Sequence, residues 1–219
     1  MIKECLESLQ ITLRSLGLPI GKIDGICGPR TEFCTTFAMH ELCKTGIIEE
    51  VLHSPLDNNL SKALVSLLQS YMQTYYGVGC RLNWWITLLH RQVGKPYNFG
   101  IEISATDPNP SAFDCSELIE WSLKQFDIDI PDGANNQFEF CVKNGRVIPK
   151  ERLLDTKGAF GFIHGKRDHF VGKIHVGVAD GVGNMIEARG KAYGVIVSPV
   201  DLSRWTHACV LPFLQEGVV

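Results

Sequence analysis

Residues 113–121 read FDCSELIEW, and where the thiol sits in them decides the fold. Asp114, Cys115 and Ser116 stand where a polar, proline-broken loop gives way to an amphipathic helix pattern over 115–126. Asp114 has the character of a helix cap. A thiol in a core is ordinarily a small hydrophobe. At the first turn of a helix it meets the positive end of the peptide dipoles, which favours a thiolate, and a thiolate is a nucleophile. The rest of the chain has to supply its partner.

That partner is found about 60 residues downstream, in KIHVGVADGVGNMIEAR (173–189), which reads strand, Gly/Asn/Asp turn, strand. A turn centred on Gly181 pairs the arms symmetrically and sets His175 directly opposite Glu187. Ile174, Val176, Val178, Ile186 and Ala188 then share one face. His175, Gly177 and Glu187 share the other, where the glycine leaves room for a substrate backbone. The expected constellation is Cys115 as nucleophile, His175 as its base and later acid, and Glu187 orienting the imidazole. The Cys115 N–H points at the developing oxyanion.

Further out, a helix pattern over 83–93 precedes the thiol. The runs GAFGFI (158–163), NMIEAR (184–189) and GVIVSPV (194–200) join KIHVGVA (173–179) as short strands. Helices followed by an antiparallel sheet make residues 80–219 an α+β domain. HGKRDH (164–169) reads as a solvated loop rather than a metal site. Residues 46–79 read as a helical connector, with Leu60, Leu64, Leu67, Leu68, Tyr71 and Tyr75 on one side of a helix. Residues 1–45 form a small all-α module. Leu6, Leu9, Leu13 and Leu16 recur at helical spacing and Gly17 stops that helix. A second helix starts near Pro29 and buries Phe33, Phe37 and Leu42.

Composition bounds the function. The chain has 219 residues, 45% hydrophobic and 21% charged, with net charge −3, which leaves no bulk basic field for nucleic acid or an anionic membrane. No apolar run is long enough for a membrane span. The opening MIKECLESLQITLRSL lacks an apolar h-region, so the chain reads as leaderless and made in a cytoplasm. Its eight cysteines show no Cys-x-x-Cys pair, and seven read as packing residues. Neither a cofactor nor a metal is expected.

Two resemblances follow from quoted residues. Over residues 84–200 the chain resembles the NlpC-type family of papain-like cell-wall peptidases. The matching stretches are VGKPYNFG (93–100), FDCSELIEWSLKQFDIDIP (113–131), KIHVGV (173–178) and the polar Glu187 twelve positions after His175. LQITLRSLG (9–17) and GKIDGICGPRTEFCTTF (21–37) are similar to the peptidoglycan-binding domain found beside many cell-wall hydrolases, with Gly21, Asp24, Gly25, Gly28, Thr31 and Phe37 in register. The catalytic resemblance implies a papain-like fold and a cysteine endopeptidase or amidase. The substrate implied is the peptidoglycan stem, cut at the D-glutamyl–diamino acid bond through a thioester. Tyr97 is implied at the oxyanion site, and Asp114, Ser116 and Glu117 beside the substrate. Glu117 replaces the glycine that usually follows Asp-Cys-Ser. Glu187 stands where the family more often has His, and Ala159 where Asp is common.

The compact layout is similar to amidase toxins delivered by type VI secretion and to phage endolysins. The expectation leans to the toxin, acting in a target cell's periplasm, with a cognate immunity protein and a secretion carrier as partners. Acyl transfer or deamidation on the same scaffold, or a wall-binding protein with a dead site, are the competing readings.

Overall fold

The computed structural model describes residues 2–15, 18, 20–44, 48–49, 57–75, 80–105, 107, 109–126, 128–167 and 169–211. The chain divides into two compact units, one built on Met1–Arg81 and the other on Leu82–Glu216. Among the described residues no helix is long and apolar enough to cross a membrane.

The first unit packs three helices on one another: α1 (Ile2–Ser15), α2 (Pro29–Lys44) and α3 (Asn58–Tyr75). Leu6, Leu9 and Leu13 of α1 are buried, with Cys34, Phe37 and Leu42 of α2 and Leu64 and Leu68 of α3. Phe33 is only half-buried and stacks on Phe37. Thus α3, expected in a connector, is one of the three helices of this unit. Leu16, Gly17 and the side chains of Tyr71 and Tyr75 lie outside the described residues, as does much of the 46–79 stretch.

The 21–31 turn is held from inside by one side chain. Gln10 donates to Asp24 Oδ1, Ile26 O and Thr31 Oγ1 at 3.1–3.2 Å and accepts the N–H groups of Asp24 and Gly25 at 3.0 Å. Gly25 has φ +66°, and a Cβ there would lie 2.6 Å from the Lys3 carbonyl oxygen, so only glycine fits. The motif residues Gln10, Asp24, Gly25 and Thr31 are therefore the turn's own fastening.

The second unit is α+β. Helices α4 (Cys80–His90), α5 (Cys115–Lys124) and α6 (Ala134–Asn144) precede six strands: β1 (Arg146–Ile148), β2 (Phe160–Arg167), β3 (Phe170–Ala179), β4 (Asn184–Ala188), β5 (Val195–Pro199) and β6 (His207–Val210). The sheet order is β1-β6-β2-β3-β4-β5, antiparallel throughout. Phe160 and Phe162 pair with Val178 and Val176 and meet Trp85 of α4 and Phe138 of α6. The alternate residues Ala159, Ala179, Met185 and Ala208 pack with Trp205 and Leu153 in a second layer. A sheet covered on both faces explains why β3 and β4 are almost continuously buried.

Three details depart from the sequence reading. His164–Arg167, expected in a solvated loop, are strand residues of β2; Asp168 lies outside the described residues. The β3–β4 pairing runs Val178 to Ile186 and Ala179 to Met185, so the turn centres on Val182 instead of Gly181. Asp180 sets this, its Oδ1 accepting the N–H groups of Val182 and Asn184 at 2.8 and 3.0 Å. By that register Glu187 lies across from Gly177 and diagonal to His175, still on the same face because the shift is by two residues. Third, Gly177 makes room for protein rather than substrate. A Cβ there would lie 3.0 Å from the Trp205 ring and 3.1 Å from Glu187 Cβ.

Candidate active site

Asp114 begins α5 with extended backbone and a side chain that caps it. Oδ1 accepts the Glu117 N–H at 2.8 Å and the Ser116 hydroxyl at 3.0 Å; Oδ2 accepts the Gly100 N–H at 3.0 Å. Cys115 is thereby fixed in the first turn, 5% exposed, in the wall of a cleft of about 620 Å³. The cleft is bounded by Phe99–Glu102, Asp114–Ser116, Asp132–Asn136 and, from the β2–β3 hairpin, His169, Phe170, Lys173 and Ile174.

The chain that forms one wall at 100–102, with residues 103, 105 and 107 after it, is tied to a single stripe of α5. Besides Asp114, Glu117 Oε1 accepts the Ile103 N–H at 2.9 Å. Trp121 Nε1 donates to Asp107 O at 2.9 Å, and Gln125 Nε2 to Ala105 O at 3.1 Å. These positions recur at helical spacing. Glu117, expected against the substrate, instead turns away from the cleft to hold this segment and is 3% exposed. Asp114 and Ser116 do border the cleft, with Asp114's two oxygens taken by the chain's own donors. Tyr97 is half-buried, and its backbone bridges Phe113, two residues before the thiol.

His175 comes from β3 beside a bulge, since Ile163 pairs with His175 but His164 pairs with Lys173, leaving Ile174 unmatched. Bulges bend a strand and redirect its side chains. The imidazole interacts with Cys115, and its Nε2 lies 2.6 Å from Glu187 Oε2. With Nε2 turned to the carboxylate, Nδ1 is the nitrogen left for the thiol proton. Trp205 lies against the ring at 5.8 Å between centroids.

Glu187 is 0% exposed, and its oxygens are fully occupied. Arg204 meets it with both terminal nitrogens, Nη1 to Oε1 and Nη2 to Oε2, each at 2.6 Å, and Ser198 Oγ donates to Oε1 at 3.2 Å. Arg204 in turn lies 4.9 Å over the Trp205 ring. The sequence reading missed Arg204, because no local pattern marks an arginine in a loop as the partner of a strand residue 17 positions earlier.

The electrostatics follow from these contacts. Burial opposes the charged form of His175, but its interactions with Cys115 and with the Glu187 carboxylate outweigh that and raise its pKa. Burial also pushes Glu187 upward, yet the bonds from His175 and Arg204 bring it down to about 2. Glu117 is the opposite case. Burial dominates, the Ile103 N–H offsets part of it, and the charges of Glu120, Glu102 and Asp114 add to it, so its carboxyl rises to about 7.

Among the described residues Glu117, Glu120 and Asp132 bring carboxylate oxygens within 4.8 Å of one another. This is an acidic cluster off the thiol, with raised pKa values at Glu117 and Glu120. The thiol–imidazole–carboxylate row can attack a carbonyl and deliver a proton to a leaving group without a metal.

Residues 94–212 match the model of the NlpC/P60 family. No curated protein matches the chain. Among solved structures, NlpC1 from Trichomonas vaginalis is 20% identical with a TM-score of 0.50, the match covering 63% of this chain and 46% of that one. This chain therefore spans less than half of that protein. The P60 domain of the M. avium subspecies paratuberculosis antigen MAP1204 is 26% identical, with 62% of this chain and 95% of that one covered and a TM-score of 0.47. The peptidoglycan hydrolase RipB from Mycobacterium tuberculosis is 22% identical, with 81% of each chain covered and a TM-score of 0.47. With residues 94–212 matched, more than half of its length, the chain belongs to the NlpC/P60 family.

Proposed function

We propose that the chain is a cysteine hydrolase that cuts the peptide stems of bacterial peptidoglycan. The observation that carries this is Cys115 at the start of a buried helix, in a cleft wall, interacting with a histidine that Glu187 holds at 2.6 Å. The Cys115 thiolate attacks the scissile carbonyl carbon, and the oxyanion that forms takes the Cys115 N–H, with Tyr97 the side chain that the motif resemblance implies beside it. As the C–N bond breaks, imidazolium His175 gives its proton to the leaving amine, and a thioester remains. Water then adds to the thioester while neutral His175 takes its proton. The C–S bond breaks and the thiolate–imidazolium pair is restored. Glu187 keeps the ring oriented throughout.

Within this reading the bond cut joins D-glutamate to the diamino acid, as the motif resemblance implies. Residues 1–81 hold the enzyme on the wall and raise the local substrate concentration. The proposed setting is a toxin injected by type VI secretion into a target periplasm, with a cognate immunity protein and a carrier. The net charge of −3 supports this over an enzyme that works on an anionic membrane from outside. An endolysin would share the chemistry; expression with an added leader, and the presence of a neighbouring immunity or holin gene, separates the two.

Digestion of purified sacculi, read by mass spectrometry, tests the activity. The expected products carry a new diamino-acid N-terminus, and Cys115→Ala is slower by at least roughly a thousandfold. Sacculi left intact by the native protein, or cut as fast by the variant, would sink the reading.

A further inference from the structure

We propose that Arg204 is a positioning residue of this site, one that cancels the charge of Glu187 so that His175 is oriented by a nearly neutral partner. The inference rests on the proposed nucleophilic role of Cys115.

Four charges alternate along one row: thiolate, imidazolium, carboxylate, guanidinium. Arg204 takes both oxygens of Glu187 at 2.6 Å, sharing Oε2 with His175. When the proton sits on sulfur, Cys115 and His175 are neutral and Glu187 and Arg204 cancel. When it moves to His175, the thiolate and imidazolium form a second cancelling pair. The row carries no net charge in either state, so proton transfer leaves no uncompensated charge in a buried site. Without Arg204 the fully buried carboxylate would face His175 alone and grip its proton. An imidazolium held that tightly is a poor acid for the leaving amine.

The surroundings suit this role. The titratable and charged groups named around the row are Cys115 of α5, His175 of β3, Glu187 of β4, and Arg204 with Asp201 of the loop before β6. Ser198 of β5 adds a neutral hydroxyl, Ile163 of β2 pairs with His175, and the Trp205 ring covers both His175 and Arg204. Asp201 aims the arginine. Its Oδ1 accepts the Ser203 N–H at 2.9 Å and the Ser203 hydroxyl at 2.6 Å, and its carbonyl takes the Arg204 N–H at 3.0 Å.

The test is the pH profile of Cys115 alkylation by iodoacetamide in the full chain, the modified peptide identified by mass spectrometry, with kcat and KM on a soluble stem peptide beside it. Removing a positive charge makes every nearby group hold protons more tightly. Arg204→Gln therefore moves both limbs of the profile toward higher pH, by roughly one unit, and lowers kcat at least about tenfold with little change in KM. Glu187→Gln moves the limbs the other way. The double variant Glu187→Gln/Arg204→Gln, neutral at both positions, returns within about half a unit of native, because the two charges act against each other. Arg204→Lys keeps the charge and keeps the native limbs.

Should Arg204→Gln not fold, the double variant and Arg204→Lys decide the matter. A double variant displaced as far as Glu187→Gln alone, or an Arg204→Lys profile displaced upward, overturns the inference. So does a folded Arg204→Gln with native limbs. A native Cys115 that alkylates no faster than a free thiol below neutral pH overturns the nucleophile reading itself.

Discussion

Glu117 shows how one carboxyl can be kept for its geometry at a cost in stability. It is 3% exposed and holds the Ile103 N–H, while burial and its acidic neighbours lift it from an ordinary 4.5 to about 7. Because the folded state holds this proton more tightly than the unfolded chain, the stability that Glu117 contributes is full below pH 4.5. It falls as pH rises from 4.5 to about 7 and is level above that. Glu117→Gln keeps the acceptor for Ile103 and removes the titration. Once the field is discounted for solvent screening, the expected gain is about 1 kcal/mol in alkaline solution, vanishing toward pH 4.5, as read by urea melts across pH. A variant that gains nothing at alkaline pH would mean that Glu117 is already relieved there. The residue was legible in the sequence as a departure after Asp-Cys-Ser, but its orientation was not. Which way a helix residue points depends on the segment packed against it, here the one that carries Ile103.

At the scale of the element, the β3–β4 hairpin explains why two glycines face each other in the middle of a sheet. Gly161 pairs with Gly177, and the Trp205 ring would lie 2.9–3.0 Å from a Cβ at either position. The missing side chains let Trp205 lie on the sheet between His175 and Arg204, with Glu187 beside Gly177. Gly177→Ala pushes against both Trp205 and Glu187, neither of which has room to yield. We expect it to cost about 1–3 kcal/mol in denaturant unfolding and to lower kcat more than it raises KM. An unchanged kcat in a destabilised variant would show that Glu187 tolerates the push. The helix with the thiol and the four consecutive strands β2–β5 were legible, because periodicity and turn residues report local geometry. His175 and Glu187 were placed on one face correctly, since alternation fixes the face. Their register was not, because it turned on how Asp180 folds the turn. Helix α6 and strands β1 and β6 went unread. Strands of three and four residues carry too little pattern, and the α6 sequence ANNQFEFCVKN is polar enough to pass for a loop.

For the molecule as a whole, the question is what a helical unit with a self-fastened turn contributes to the unit that holds Cys115. In the first unit Gln10 joins Asp24, the Ile26 carbonyl and Thr31 from within, so these groups shape a surface on which the Ile26 side chain stays exposed. If that surface holds the wall, loosening it should spare the chemistry of a separate compact unit and remove only the concentration effect of attachment. Gln10→Ala removes five hydrogen bonds, with little change to the apolar packing of Leu9 and Leu13. In a Cys115→Ala background, which cannot digest its ligand, we expect Gln10→Ala to abolish co-sedimentation with sacculi. In the active chain the same change should slow the digestion of whole sacculi by about tenfold or more, with turnover of a soluble stem peptide held within roughly twofold. Equal slowing on both substrates would show that the first unit supports the catalytic one directly. Unchanged sedimentation would remove wall attachment from the 21–31 turn.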